Sequence, residues 1–152
     1  MNLRQRFIIP IEQERLWALL VDVERAGRCI PGVTSLSGLG DGSYQGAISV
    51  KVGPFSLNLE GHLRLTLVDG ERRRATMEAE AADRRLGGGL RSAMSIELEE
   101  LGPHETALAI ETQARLLGRL GELGQPIIRR KAQAILEEFA RNLQRAATHS
   151  TP

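Results

Sequence analysis

The chain has 152 residues, 41% of them hydrophobic, 26% charged and only 3% aromatic, with a formal net charge of +1. That length suits one domain with a substantial core, and the near-neutral charge argues against the strongly basic face of a nucleic-acid binder. A single cysteine rules out an intrachain disulfide, no apolar run reaches the roughly 18 residues of a spanning helix, and the N-terminal apolar stretch is too short for a secretory signal, so the chain reads as cytoplasmic.

Residues 3–9, LRQRFII, alternate apolar and polar and predict a strand. In EQERLWALLVDVERAGRCI, Leu16, Trp17, Leu20 and Val23 fall near helical spacing, with Glu12 and Glu14 in a first turn where the helix dipole favours acids. Asp22 is placed to cap a second short helix, and Pro31-Gly32 stops it. The segment VTSLSGL then runs to the hairpin turn GDG at 40–42. Beyond it Tyr44, Gly46, Ile48, Val50 and Val52 share one strand face. Phe55, Leu57, Leu59, Gly61, Leu63, Leu65 and Leu67 do so in the next strand. After Asp69-Gly70 the pattern continues with Ala75, Met77, Ala79 and Ala81. It goes on after the glycine triplet 87–89 through SAMSIELEEL and ETALAIETQARL. A long helix is expected from about Leu120 to Ala147, with Leu123, Ile127, Ile135, Phe139 and Leu143 recurring at fours and eights and Pro126 marking the start of its main part.

About seven strands with one wet and one dry face predict an α+β fold: an antiparallel sheet covered on its dry face by the C-terminal helix, with two short helices after strand 1. The whole of 1–147 reads as one domain and 148–152 as a disordered tail.

Little in the chain suggests catalysis. Cys29 sits at a helix C-terminus, where the dipole disfavours a thiolate, and no base is evident nearby, so CIPG reads as a turn around a buried thiol. His62, His104 and His149 match no metal-ligand spacing, and no metal or cofactor is expected. The glycines of SGLGDGSYQG precede a strand and not a helix, which removes the phosphate-loop reading. Gly87–Gly89 reads as a flexible connection, or as a cavity rim with Arg84 and Arg85 beside it. Arg129, Arg130, Lys131, Arg141 and Arg145 read as the solvated face of the last helix.

The dry face carries the functional reading. Its alanines and glycines cannot by themselves fill the space under a helix, so either the sheet collapses onto a solid aliphatic core or a hydrophobic small molecule occupies the gap. The expected lining from the sheet is Val50, Val52, Leu59, Leu65, Met77, Ala79, Met94, Ile96, Leu108 and Ile110. Tyr44, Ser92 and Thr112 turn inward as polar groups able to orient a carbonyl. From the helix, Leu123, Ile127, Ile135 and Phe139 complete the set.

Three stretches carry a family resemblance: FIIPIEQERLWALLVDVERAGRCIPGVTSL, GDGSYQGAISVKVGPFSLNLEGHLRL and LLGRLGELGQPIIRRKAQAILEEFARNL. They are similar to the START-like (SRPBCC, polyketide cyclase-like) helix-grip superfamily and, within it, to the carbon monoxide dehydrogenase G-subunit family, with CIPG and VKVGP the more specific pieces. The resemblance implies a curved sheet gripping the terminal helix around an apolar cavity. It also implies a non-enzymatic, quinone- or lipid-binding accessory to a carbon monoxide dehydrogenase or related molybdenum hydroxylase. Contact with the inner face of the cell membrane would then be peripheral at most. The alternatives are a polyketide cyclase- or hydrolase-like enzyme of the same superfamily, which needs an inward acid or base, and a ligand-free protein–protein adaptor with a filled core.

Overall fold

The structure, a computed structural model, describes residues 1–149. In chain order the elements are β1 (Asn2–Ile9), α1 (Gln13–Val21), α2 (Val23–Arg28), β2 (Val33–Gly38), β3 (Ser43–Val52) and β4 (Phe55–Asp69). Then come β5 (Arg74–Asp83), β6 (Gly88–Gly102), β7 (Glu105–Gly118), α3 (Arg119–Glu122) and α4 (Gln125–His149). One seven-stranded sheet runs in the order β1-β7-β6-β5-β4-β3-β2, with every neighbouring pair antiparallel. The hairpins from β2 to β7 follow from the turn signals, and the helix pair carries the chain from one sheet edge to the other.

Asp22 does cap α2, its carboxylate accepting from the Arg25 backbone N–H at 3.4 Å. Cys29 closes that helix, and Gly32 takes φ +91° in the turn that follows. Leu16, Trp17, Leu19 and Leu20 of α1 are buried and pack with Ile9, Leu98, Leu108 and Ile110 of the sheet and Phe139, Ala140, Leu143 and Ala147 of α4. Arg73 ties the β4–β5 turn to α1 by pairing with Glu14 and lying 5.8 Å above the Trp17 ring.

Four expectations need correction. The terminal helical region is broken: α3 ends at Glu122, Gly124 takes φ +92°, and α4 starts afresh with Pro126 in its first turn. Its helix continues through Thr148 and His149, while the rest of the expected tail, 150–152, lies outside the described residues. Ile127 is 52% exposed and does not join the buried stripe. A strict spacing of four drifts by 40° per step at 100° per residue, so Ile127 stands about 160° around the helix from Leu143. Ile128 and Leu136 make the packing contacts. In β4 the register shifts between Leu65 and Leu67, which reverses parity beyond that point. Leu67 is therefore opposite Thr76 and 48% exposed, and Phe55, at the hairpin tip, is also exposed.

Glycine supplies the bend. Gly46 and Gly61 pair directly, Gly61 pairs with Ala81, and Gly89 pairs with Ala82 one step along the same seam. A Cβ on Gly61 would lie 1.8 Å from the Glu80 carbonyl oxygen and 2.7 Å from Ala81 Cα. The seam is thus open only to residues without a side chain. Gly61→Ala is expected to destabilise the protein by about 2–4 kcal/mol in urea unfolding. Gly102→Ala, where nothing lies within 4 Å of the added carbon, should stay within about 0.5 kcal/mol of the parent.

Candidate functional site

The dry face holds two fully buried clusters with half-buried residues between them. One apolar cluster gathers α1, α2, β1 and the C-terminal half of α4. The other gathers Val52, Leu57, Leu59 and Leu120, with Val50, Ala81, Leu90, Leu123 and Ile128 against them. Between the two run a pair of cross-strand rows. Registers place Tyr44, Leu63, Ala79, Ser92 and Ala114 in the first, and Leu65, Met77, Met94, Thr112 and Leu3 in the second. Apart from Leu3, every one of these is only half-buried. The facing stretch of α4, residues 129–138, likewise has no fully buried side chain, whereas 139, 140, 143 and 147 are buried.

The predicted lining divides accordingly. Tyr44, Leu65, Met77, Ala79, Ser92 and Thr112 lie together in the band, and Ile135 is half-buried on the facing helix. Met94 and Ile96 border it on the side of the first cluster, Val50 and Leu123 on the side of the second. Leu108 and Ile110 are 0% and 1% exposed and face no open space; α1 and α4 close over them, so they support the site without lining it. Val52, Leu59 and Phe139 are likewise packed at its two ends. Ile127, turned away on the far side of α4, is outside it.

Two polar atoms in this region have no hydrogen-bond partner although buried: Thr112 Oγ1 and Gln5 Oε1. Gln5 is absent from the lining expected on sequence grounds. Its signal is present there all the same, since it occupies an inward position between Leu3 and Phe7 in an otherwise apolar alternation.

Cys29 is inert. Burial pushes its thiol above the ordinary value, with Arg25 as a smaller opposing influence, and its Sγ donates to the Arg25 carbonyl at 3.6 Å. Among the described residues no group of three or more His, Cys, Asp or Glu is arranged to hold a metal, and no helix is long and apolar enough to cross a membrane.

A recess of about 890 Å³ lies on the other, wet face of the sheet, open to solvent and bordered by Gln45, Glu60, His62, Glu80 and Arg91. Its walls carry a cross-strand ion pair, Glu80–Arg91 at 2.8 Å, as expected of a solvated sheet surface. The glycine triplet beside it is not a loose rim. Gly87 closes a turn at φ +78°, and Gly88 and Gly89 are already in β6, where added side chains would meet the Leu120 amide and the Ala81 carbonyl at 2.5 Å. Asp83 fixes that turn. Its carboxylate accepts from the backbone N–H groups of Asn58 at 2.9 Å, Leu86 at 3.0 Å and Arg85 at 2.9 Å.

A long twisted antiparallel sheet wrapped on a C-terminal helix, with an apolar band left between them, is the arrangement of a START-like helix-grip protein. The solved structures agree. A conserved protein from Geobacillus kaustophilus aligns with a TM-score of 0.89 at 17% identity, over 99% of this chain and 97% of its own. Norcoclaurine synthase from Thalictrum flavum, solved with dopamine and hydroxybenzaldehyde, aligns at 0.69 and 14%, over 100% of this chain and 88% of its own. The ZhuI aromatase/cyclase from Streptomyces sp. R1128 aligns at 0.60 and 15%, over 97% and 90%. At these identities the likeness is one of fold. No protein of curated function matches the sequence. The model of the CoxG family, the G subunit of carbon monoxide dehydrogenase, matches residues 6–148, and the chain belongs to that family.

The Asp83 clamp makes stability pH-dependent with a defined sign. Hydrogen bonds, chiefly from the Asn58 N–H and then from Leu86 and Arg85, hold its carboxyl below the ordinary carboxylate range. A depressed folded value stabilises the native state above the unfolded value of about 3.9, and that contribution disappears as pH falls through the folded one. Asp83→Asn is expected to be less stable than the parent at pH 7, with the gap narrowing below about pH 4; thermal melts from pH 7 to 2 check this.

Proposed function

We propose that the protein binds a hydrophobic small molecule, quinone- or lipid-like, between the middle of α4 and the band of half-buried residues on the sheet. It does so as a non-catalytic accessory to a carbon monoxide dehydrogenase or related molybdenum hydroxylase. The observation that carries the first half is the pairing of two half-exposed surfaces, sheet rows 44–114 and 65–112 and helix residues 129–138, between two closed cores. Apolar area left in water there gains roughly 25 cal/mol per Å² on being covered. An amphiphile with a greasy body covers it without moving either core.

The site's chemistry favours binding over turnover. By register the two rows carry Tyr44, Ser92 and Thr112 as their polar members and no Asp, Glu, His, Lys or Arg. Acid–base catalysis needs a group of tuned pKa within reach of the reacting atom, and the charged side chains of these strands alternate to the wet face. The family supplies the second half of the proposal, since its description names a subunit of carbon monoxide dehydrogenase.

Ala79 stands in the middle of the band, between Leu63 and Ser92. Ala79→Phe is expected to retain the far-ultraviolet circular dichroism spectrum while binding of an apolar fluorescent probe falls by more than about tenfold. Ala93→Phe, an exposed position on the wet face, serves as the control and should bind as the parent does. Unchanged probe affinity in Ala79→Phe would place the lipophile elsewhere.

A further inference from the structure

We propose that Gln5 and Thr112 form the polar end of this site and select, within the class of lipophile proposed above, the members that carry a hydroxyl group, a quinol over its quinone; the inference rests on the binding reading above. Thr112 stands in the second row where β7 meets β1 and pairs with Leu3, which ends the row, while Gln5 pairs with Ile110 two positions along β7. The two side chains are therefore diagonal neighbours on the dry face, with Cβ atoms roughly 7 Å apart. Both present a buried oxygen without a partner, so the two oxygens do not bond to each other.

The orientation of the Gln5 amide is fixed by its neighbour. Its Nε2 donates to the Gln133 carbonyl of α4 at 3.4 Å. Exchanging N and O would set two acceptors against each other. Oε1 is thus left as a pure acceptor. The threonine hydroxyl both donates and accepts. One ligand group answers both: a hydroxyl oxygen that accepts from Thr112 Oγ1 and donates to Gln5 Oε1. A carbonyl or an ether satisfies Thr112 alone and leaves the amide oxygen buried and unpaired. Leaving such a group unpaired costs more than an ordinary hydrogen bond gains, which makes the pair discriminating. The rest of that row, Leu65, Met77 and Met94, supplies the apolar bed for the ligand body.

The test uses the full chain and two probes of equal apolar body, 4-hexylphenol and its methyl ether 4-hexylanisole, titrated calorimetrically. The parent is expected to bind the phenol about tenfold more tightly than the ether. Thr112→Val, which keeps the shape and removes only the donor that both probes can use, should melt no lower than the parent, bind both probes more weakly and keep the preference. Gln5→Met, which removes the lone acceptor, should lose the preference while still binding the ether; if it fails to fold, Gln5→Leu takes its place. Equal affinity of the parent for both probes would overturn the hydroxyl selectivity and leave the lipophile site standing, as would a preference that survives loss of the Gln5 oxygen. If neither probe binds, the lipophile site itself fails and this inference with it.

Discussion

A straight helix cannot follow a twisted sheet along its whole length, and the remaining features of this protein rest on that mismatch. At 1.5 Å per residue the 25 residues of α4 span about 37 Å, while each strand of the sheet is rotated against the next by roughly 20° or more. Contact is made where sheet and helix converge. Near its C-terminal end Phe139, Ala140, Leu143 and Ala147 lock into the first cluster, and near its start Ile128 joins Leu120 and Leu123 in the second. The glycine seam through Gly46, Gly61 and Gly89 lets the backbones pass closely enough for the sheet to bend around this span. Between the two points of contact the helix meets the sheet along β1, where Gln5 donates to the Gln133 carbonyl and Arg129 to the Asn2 carbonyl, while the rows further in stay half-buried.

Such a gap has a definite chemical character because strand parity sorts the side chains. Arg4–Glu111, Arg6–Glu99 and Arg91–Glu80 pair across strands on the wet face. Their partners in alternation turn inward and are apolar, small or hydroxylic, with the Gln5 amide between Arg4 and Arg6. The ligand proposed for such an interior is one held by area and not by charge. In the proposed binding, specificity is assigned to the oxygens of Gln5 and Thr112, since an apolar wall distinguishes shapes weakly and an unpaired buried oxygen distinguishes functional groups well.

The same fold frame serves a norcoclaurine synthase and an aromatase/cyclase, and it persists at identities where little of the sequence is shared. Acid–base chemistry on this frame requires a titratable group that points into the gap. Here the acids that the structure does use are structural. Asp22 starts a helix, Asp83 clamps a turn, and Asp41 and Asp69 order hairpins through their neighbours' backbone N–H groups.

The order of elements, the dry and wet faces of most strands, the capped helix pair and the architectural role of Cys29 were all legible in the chain before any coordinates. They depend on short-range periodicity and turn chemistry, which local residues carry in full. The family was legible too, through CIPG and VKVGP and the course of the last helix. Which dry-face residues stay open was not legible, because it depends on how the elements pack. Leu108 and Ile110 have the same parity as Thr112, yet α1 and α4 close over them alone. Packing also fixes the bulge that turns Leu67 outward, the rotation that carries Ile127 away from the sheet, and the burial of the Gln5 amide against Gln133. Each of these is set by where a distant element lands, and a period of two or 3.6 residues holds no record of that distance.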